Sequence, residues 1–164
     1  VDSLKQYGEN LTTHVEEGEG LVLFGKQGTG KDHLMAGMLF HAARIGFTVR
    51  LVNGMDMYRG VSETWGTDAK ESDRLKELTG PDILAISDPL PPTGKLQDYQ
   101  TNFLYSVIDQ RYRKMKPTWV TANFFSGKDA AERLSSQVAD RMKDGALTLY
   151  CNWPSYRKSL VKQP

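Results

Sequence analysis

The chain has 164 residues, with 21 Lys or Arg against 20 Asp or Glu and a formal net charge of +1. Its 39% hydrophobic and 25% charged residues exclude a disordered chain, and its length suits one domain with a sizeable core. No apolar run reaches membrane-spanning length, no signal peptide is visible, and the near-balanced charge does not by itself announce a nucleic-acid partner.

A single cysteine, Cys151, rules out an internal disulfide and reads as a buried thiol in a reducing, cytoplasmic setting. The sequence starts at Val1 rather than Met, which suggests a fragment or a processed product.

In chain order, residues 3–17 place Leu4, Tyr7, Leu11 and Val15 at helical spacing, as in an amphipathic lead-in helix broken by Gly18 and Gly20. Leu21-Val22-Leu23-Phe24 is an uninterrupted apolar run, the pattern of a strand buried on both faces. A Gly-rich loop follows, then helix formers from His33 to Arg44, stopped by Gly46. Residues 48–52 read as a second strand and 53–79 as helical and polar, with an apolar side from Met55, Met57, Tyr58, Val61 and Trp65. Residues 83–86 form a third buried strand, and the prolines at 89, 91 and 92 with Gly94 make a loop. Residues 97–115 are helical with Phe103, Leu104, Val107 and Ile108 inward, 118–122 are a fourth strand, 129–143 another helix, and 146–151 a fifth strand. Apolar strands alternating with helices predict a single α/β domain, a five-stranded mainly parallel sheet covered on both faces.

Gly25-x-x-x-x-Gly30-Lys31, between a buried strand and a helix, matches the P-loop pattern that cradles phosphates. Glycines let the backbone turn and bring its N–H groups to the anion, and the helix N-terminus adds its positive end. Lys31 supplies a point charge to the β- and γ-phosphates. The last motif position departs: Asp32 stands where a Ser or Thr hydroxyl would face Mg²⁺. A carboxylate there repels phosphates unless a cation lies between them, and it can then ligate that cation.

The third strand ends in Ser87-Asp88, where P-loop ATPases carry two acids. In one register Ser87 replaces the Mg²⁺-orienting acid and Asp88 polarises the attacking water; shifted by one residue, Asp88 is itself the Mg²⁺ residue. One carboxylate and one hydroxyl thus remain with their places exchanged. A reciprocal swap would have Asp32 ligate Mg²⁺ with Ser87 hydrogen-bonded behind it; independent decay of the two positions is the rival. Asn123, after the fourth strand, is placed to contact the γ-phosphate and the water. Arg111, Arg113, Lys114 and Lys116 cluster around Tyr112, either as a solvated helix end or as a phosphate-contact patch.

Taken together, Gly25–Leu34, the strand ending in Asp88, Asp109-Gln110-Arg111-Tyr112, Pro117-Thr118 with Thr121-Ala122-Asn123, Val138-Ala139-Asp140-Arg141-Met142 and Asn152-Trp153-Pro154-Ser155-Tyr156-Arg157 resemble, in order, the DnaC-type bacterial helicase loaders. These are AAA+ ATPases related to DnaI, DnaA and IstB. The resemblance runs from about residue 3 to about 160 and implies one AAA+ domain over 1–164, with the family's preceding helicase-binding module outside this sequence. It implies ATP or ADP held by Gly25, Gln27, Gly28, Thr29, Gly30, Lys31, Asp32 and His33, with Mg²⁺ at Asp32 or Asp88. It assigns catalytic parts to Lys31, Asp88, Asn123 as sensor one, Arg141 as an arginine finger reaching a neighbouring subunit, and Arg157 as sensor two. Residues 55–78 match the segment that lines single-stranded DNA; Arg59 and Trp65 within it, and Tyr99 beyond it, are the implied DNA contacts through charge and stacking. The implied partners are a DnaB-type replicative helicase, single-stranded DNA and further copies of the chain, with no membrane. The departures at Asp32 and Ser87 imply weak hydrolysis. The competing expectations are a degenerate nucleotide-binding scaffold and an IstB-like transposition helper.

Overall fold

Parity along the strands builds the domain, as the computed structural model, which describes residues 2–62 and 71–157, makes plain. The five apolar runs form β1 (Gly20–Gly25), β2 (Val49–Asn53), β3 (Ile83–Ser87), β4 (Thr118–Ala122) and β5 (Ala146–Cys151). They pair in the order β2-β3-β4-β1-β5, and every pairing is parallel. Successive side chains of a strand point to opposite faces. Val22, Leu84, Ile86, Val120 and Ala122 therefore enter one core, while Leu21, Leu23, Ile83, Ala85 and Trp119 enter the other.

The first core is roofed by α4 (Gly54–Ser62), α5 (Glu71–Thr79), α6 (Asp98–Arg113), α7 (Gly127–Leu134) and α8 (Ser136–Lys143). The second is roofed by α1 (Asp2–Glu9), α2 (Leu11–Glu16) and α3 (Lys31–Arg44), through Leu4, Tyr7, Leu11, Val15, Met35, Leu39 and Ala42. Tyr7 ties the lead-in to the sheet: its hydroxyl donates to the Glu19 carbonyl at 2.6 Å and accepts from the Trp119 indole at 3.1 Å. Among the described residues no helix is long and apolar enough to cross a membrane.

Two helices expected to be continuous are broken. The lead-in is split at Asn10, whose side-chain amide turns back to the Gln6 carbonyl at 3.0 Å. The stretch 129–143 is split at Ser135, which sits at φ +85° and caps α8 by accepting from Val138 N at 3.3 Å. The segment expected to be helical over 53–79 forms α4 and α5; the part between them, with Trp65, lies outside the described residues.

Arg111 corrects the phosphate-patch alternative. It is fully buried, and burial pulls its pKa down to about 10, still far above neutral pH. Its Nη1 donates to the carbonyls of Leu78 and Pro81, its Nη2 to those of Asp82 and Pro117, and its Nε to Thr118 Oγ1, at 2.8–3.2 Å. All five guanidinium donors are spent on the segments that lead into β3 and β4. Arg113 is exposed and pairs with Asp109, Nε to Oδ2 at 2.8 Å.

Candidate functional site

Parallel α/β sheets bind ligands at the carboxyl ends of their strands. There β1 passes into the Gly-rich loop, and a cavity of about 540 Å³ opens, walled by Gln27, Gly28, Gly30, Lys31, Asp32, His33, Asp88, Thr121, Ala122, Asn123, Tyr156 and Arg157. Gly25 and Thr29, expected among the nucleotide contacts, are not on that wall. Gly25 has φ +132°, and a Cβ there would collide with the Cys151 carbonyl of β5, so this glycine serves the close approach of two strands. Thr29 is buried, with its hydroxyl donating to the Lys26 carbonyl at 3.0 Å.

The loop is anchored by residues from the far end of the chain. The Trp153 indole N–H donates to the Thr29 carbonyl at 2.7 Å, and the Tyr156 amide donates to the Gly28 carbonyl at 2.9 Å. Gly28, at φ +79°, has Ser155 so close that any Cβ would strike its hydroxyl. Arg157 is thereby brought to the cavity rim.

Lys31 is buried at the first turn of α3, and its Nζ donates to the carbonyls of Gly25 at 3.1 Å and Lys26 at 2.7 Å. Burial pulls its pKa below the ordinary ammonium value, against the opposing pull of Asp32 and Asp88.

Asp32 Oδ1 accepts two hydroxyl protons, from Ser87 Oγ at 3.0 Å and from Thr121 Oγ1 at 2.6 Å. Asp88 follows β3 in the left-handed region, φ +46°, with its N–H on the Thr121 carbonyl at 2.8 Å. Its Oδ2 accepts from Asn123 Nδ2 at 2.7 Å, while its Oδ1 is buried with no hydrogen-bond partner. Burial raises the Asp88 pKa, opposed by the Asn123 bond and by Lys31. Arg133 braces this corner through the Asn123, Pro91 and Gly94 carbonyls, at 2.8–3.1 Å.

Arg141 lies elsewhere. Its side chain is at the amino-terminal ends of the strands, beside Gly20, Thr118 and Ala146. At ~3.3 Å per residue, the length of β5 separates it from its own cavity by very roughly 15–20 Å. The guanidinium sits 4.3 Å over the Tyr112 ring, with Nη2 3.3 Å from Asp109 Oδ1 and Nη1 3.7 Å from Asp144 Oδ2. Of the expected DNA contacts, Arg59 is exposed on α4 and paired with Asp56 at 3.1 Å, and Tyr99 is half-buried against the first core. Trp65 is outside the described residues.

Sequence reasoning missed Thr121 and Tyr156. Strand parity carried the signal for the first: Ser87 and Thr121 share the odd positions of Ala85 and Trp119, and the β3–β4 register sets them side by side facing α3.

A model of the IstB-like ATP binding protein family matches residues 9–163. The replicative helicase loader DnaC of Escherichia coli (strain K12) is 28% identical over 154 residues, which is 90% of this chain and 62% of that protein, so the chain spans less than two thirds of that relative. Among solved structures, the DnaC helicase loader superposes with a TM-score of 0.79 at 23% identity, over 90% of this chain and 85% of that one. The replication initiator DnaA, bound to AMPPCP and single-stranded DNA, superposes with a TM-score of 0.74 at 16% identity, over 91% of this chain and 44% of that one. These two likenesses bear on the fold.

Proposed function

The chain belongs to the IstB-like ATP-binding family, and from that premise we propose that it is the ATP-switched AAA+ module of a DnaC-type helicase loader, assembling on single-stranded DNA and on a DnaB-type replicative helicase. The observation that carries this reading is the cavity that gathers the phosphate loop, Lys31, the Asp88–Asn123 pair and Arg157. In this reading Lys31 and the loop amides hold the phosphates, Asn123 and Asp88 orient the attacking water, and Arg157 reaches the γ-phosphate. Water activation suits Asp88, which lines the cavity and is oriented by the Asn123 amide.

A Mg²⁺ ion belongs to the same reading, and the donor set fits one. No cluster of three metal-ligating side chains occurs among the described residues, so the protein side is a carboxylate or two, with phosphate oxygens completing the shell. Asp32 and Asp88 would hold it, and it would supply charge neutralisation of the phosphates.

Arg141 is the finger for a neighbouring copy, since its own cavity is out of reach. Arg141→Ala is expected to leave ATP affinity of the monomer unchanged by calorimetry and to cut assembly-dependent phosphate release by about a thousandfold. A large loss of affinity in the monomer would place Arg141 in its own site instead. For DNA, fluorescence anisotropy with a single-stranded oligonucleotide should show weak binding at low salt that fades as salt rises, because few cations contribute. No binding at low salt with ATP and Mg²⁺ would remove DNA from the account.

The exchanged Asp32 and Ser87 favour a second reading, a scaffold that binds nucleotide with little turnover; phosphate release with and without single-stranded DNA separates the two. An IstB-like transposition helper differs in its partner, and a pull-down with the replicative helicase tests that.

A further inference from the structure

In a P-loop ATPase the residue after the lysine offers a hydroxyl to the Mg²⁺ ion, and an acid on a neighbouring strand supports it. Here the first turn of α3 offers a carboxylate, and the supporting positions offer hydroxyls. Asp32 is exposed at the cavity wall, yet its carboxylate is held from the sheet. Ser87 Oγ and Thr121 Oγ1, from the ends of two adjacent strands, both donate to its Oδ1 at 3.0 and 2.6 Å. Thr121 is buried and paired in register with Ser87, so the pair of donors is fixed by the sheet itself. Lys31, the nearest cation in sequence, spends its ammonium on the loop carbonyls of Gly25 and Lys26.

Resting on the nucleotide-site reading above, we propose that Asp32, clamped by Ser87 and Thr121, is the protein's Mg²⁺ ligand and makes nucleotide binding stringently metal-dependent. A hydroxyl at this position is neutral and tolerates a bare polyphosphate. A fixed carboxylate repels the bare polyphosphate and attracts the same nucleotide carrying a divalent cation. By linkage, the nucleotide raises the affinity for the ion by the factor that the ion raises affinity for the nucleotide. The exchange of carboxylate and hydroxyl thus preserves a metal site and sharpens its choice between free and metal-bound nucleotide.

The test is calorimetric titration with ATP, once with excess Mg²⁺ and once with EDTA, on the parent, Asp32→Asn, Thr121→Val and the double exchange Asp32→Thr with Ser87→Asp. Binding is read directly, with no dependence on turnover. The parent should lose roughly a hundredfold in affinity in EDTA. Asp32→Asn, which keeps an oxygen for both hydroxyls and so keeps the fold, should bind metal-free ATP about tenfold more tightly and Mg²⁺-ATP about tenfold more weakly. Thr121→Val should shrink the Mg²⁺/EDTA ratio several-fold, and the double exchange should return it toward the parent's. A ratio unchanged by Asp32→Asn, in a protein that melts like the parent, overturns the proposal while leaving the nucleotide site standing. A parent that binds ATP in neither condition overturns the nucleotide site and this proposal with it.

Discussion

Replacing Arg111 by methionine is expected to destabilise the fold by about 3–5 kcal/mol, the cost of leaving several buried carbonyls without donors. The guanidinium is fully buried and is the shared partner of Leu78, Pro81, Asp82 and Pro117, all through main-chain oxygens. Methionine fills similar volume, so the loss measures hydrogen bonding more than packing. In a domain of this size the melting temperature should fall by roughly 10 °C. Arg111→Lys should fall between, because an ammonium has three donors and cannot span four carbonyls. Arg113→Met is the control: that side chain is 75% exposed, and its pair with Asp109 is worth under about 1 kcal/mol. Equal melting of the two methionine variants would show that Arg111 does not hold the strand entrances together.

Lys31→Ala is expected to lower ATP affinity by about 10²–10³-fold, the loss of a charge-assisted contact to the phosphates worth roughly 3–4 kcal/mol. The variant should keep its circular dichroism, since the side chain caps only two loop carbonyls, those of Gly25 and Lys26. Lys31 itself lines the cavity, so water can enter the space that its truncation leaves and meet those carbonyls. Calorimetry decides the matter: equal affinities in variant and parent would remove Lys31 from the site.

Much of this architecture could be read from the sequence because local pattern and burial agree. The run 118–122 appears as β4 with the same bounds, and Leu21 to Phe24 lies within β1, since a doubly buried strand has no polar face to blur its limits. The phosphate loop was legible for the same reason, as its glycines sit between a buried strand and a helix. Arg111 was not. Beside Arg113, Lys114 and Lys116 it reads as one more surface cation, and three of the four carbonyls that hold it lie some 30 residues away in sequence. The break at Ser135 was equally hidden, because Ser135-Ser136 carries no glycine or proline to mark it, while the residue adopts φ +85°. The Ser87–Asp32 contact could be argued from exchanged residue types; its second hydroxyl, Thr121, needed the β3–β4 register.

The lean of the carboxyl-terminal residues on the Gly-rich loop has a consequence for how the protein is made. Trp153 grips Thr29 across 124 positions of sequence, and Tyr156 grips Gly28. A ribosome releases the loop together with β1, and its clamps are synthesised more than a hundred residues later. Until then the glycines have neither β5 beside them nor the indole above them, and only contacts within residues 25–31 shape the loop. Local elements of a nascent chain can settle as they emerge, but this cavity draws its walls from Gln27 through Arg157. The loop at residues 25–30 is thus completed only by residues made at least 120 positions after it.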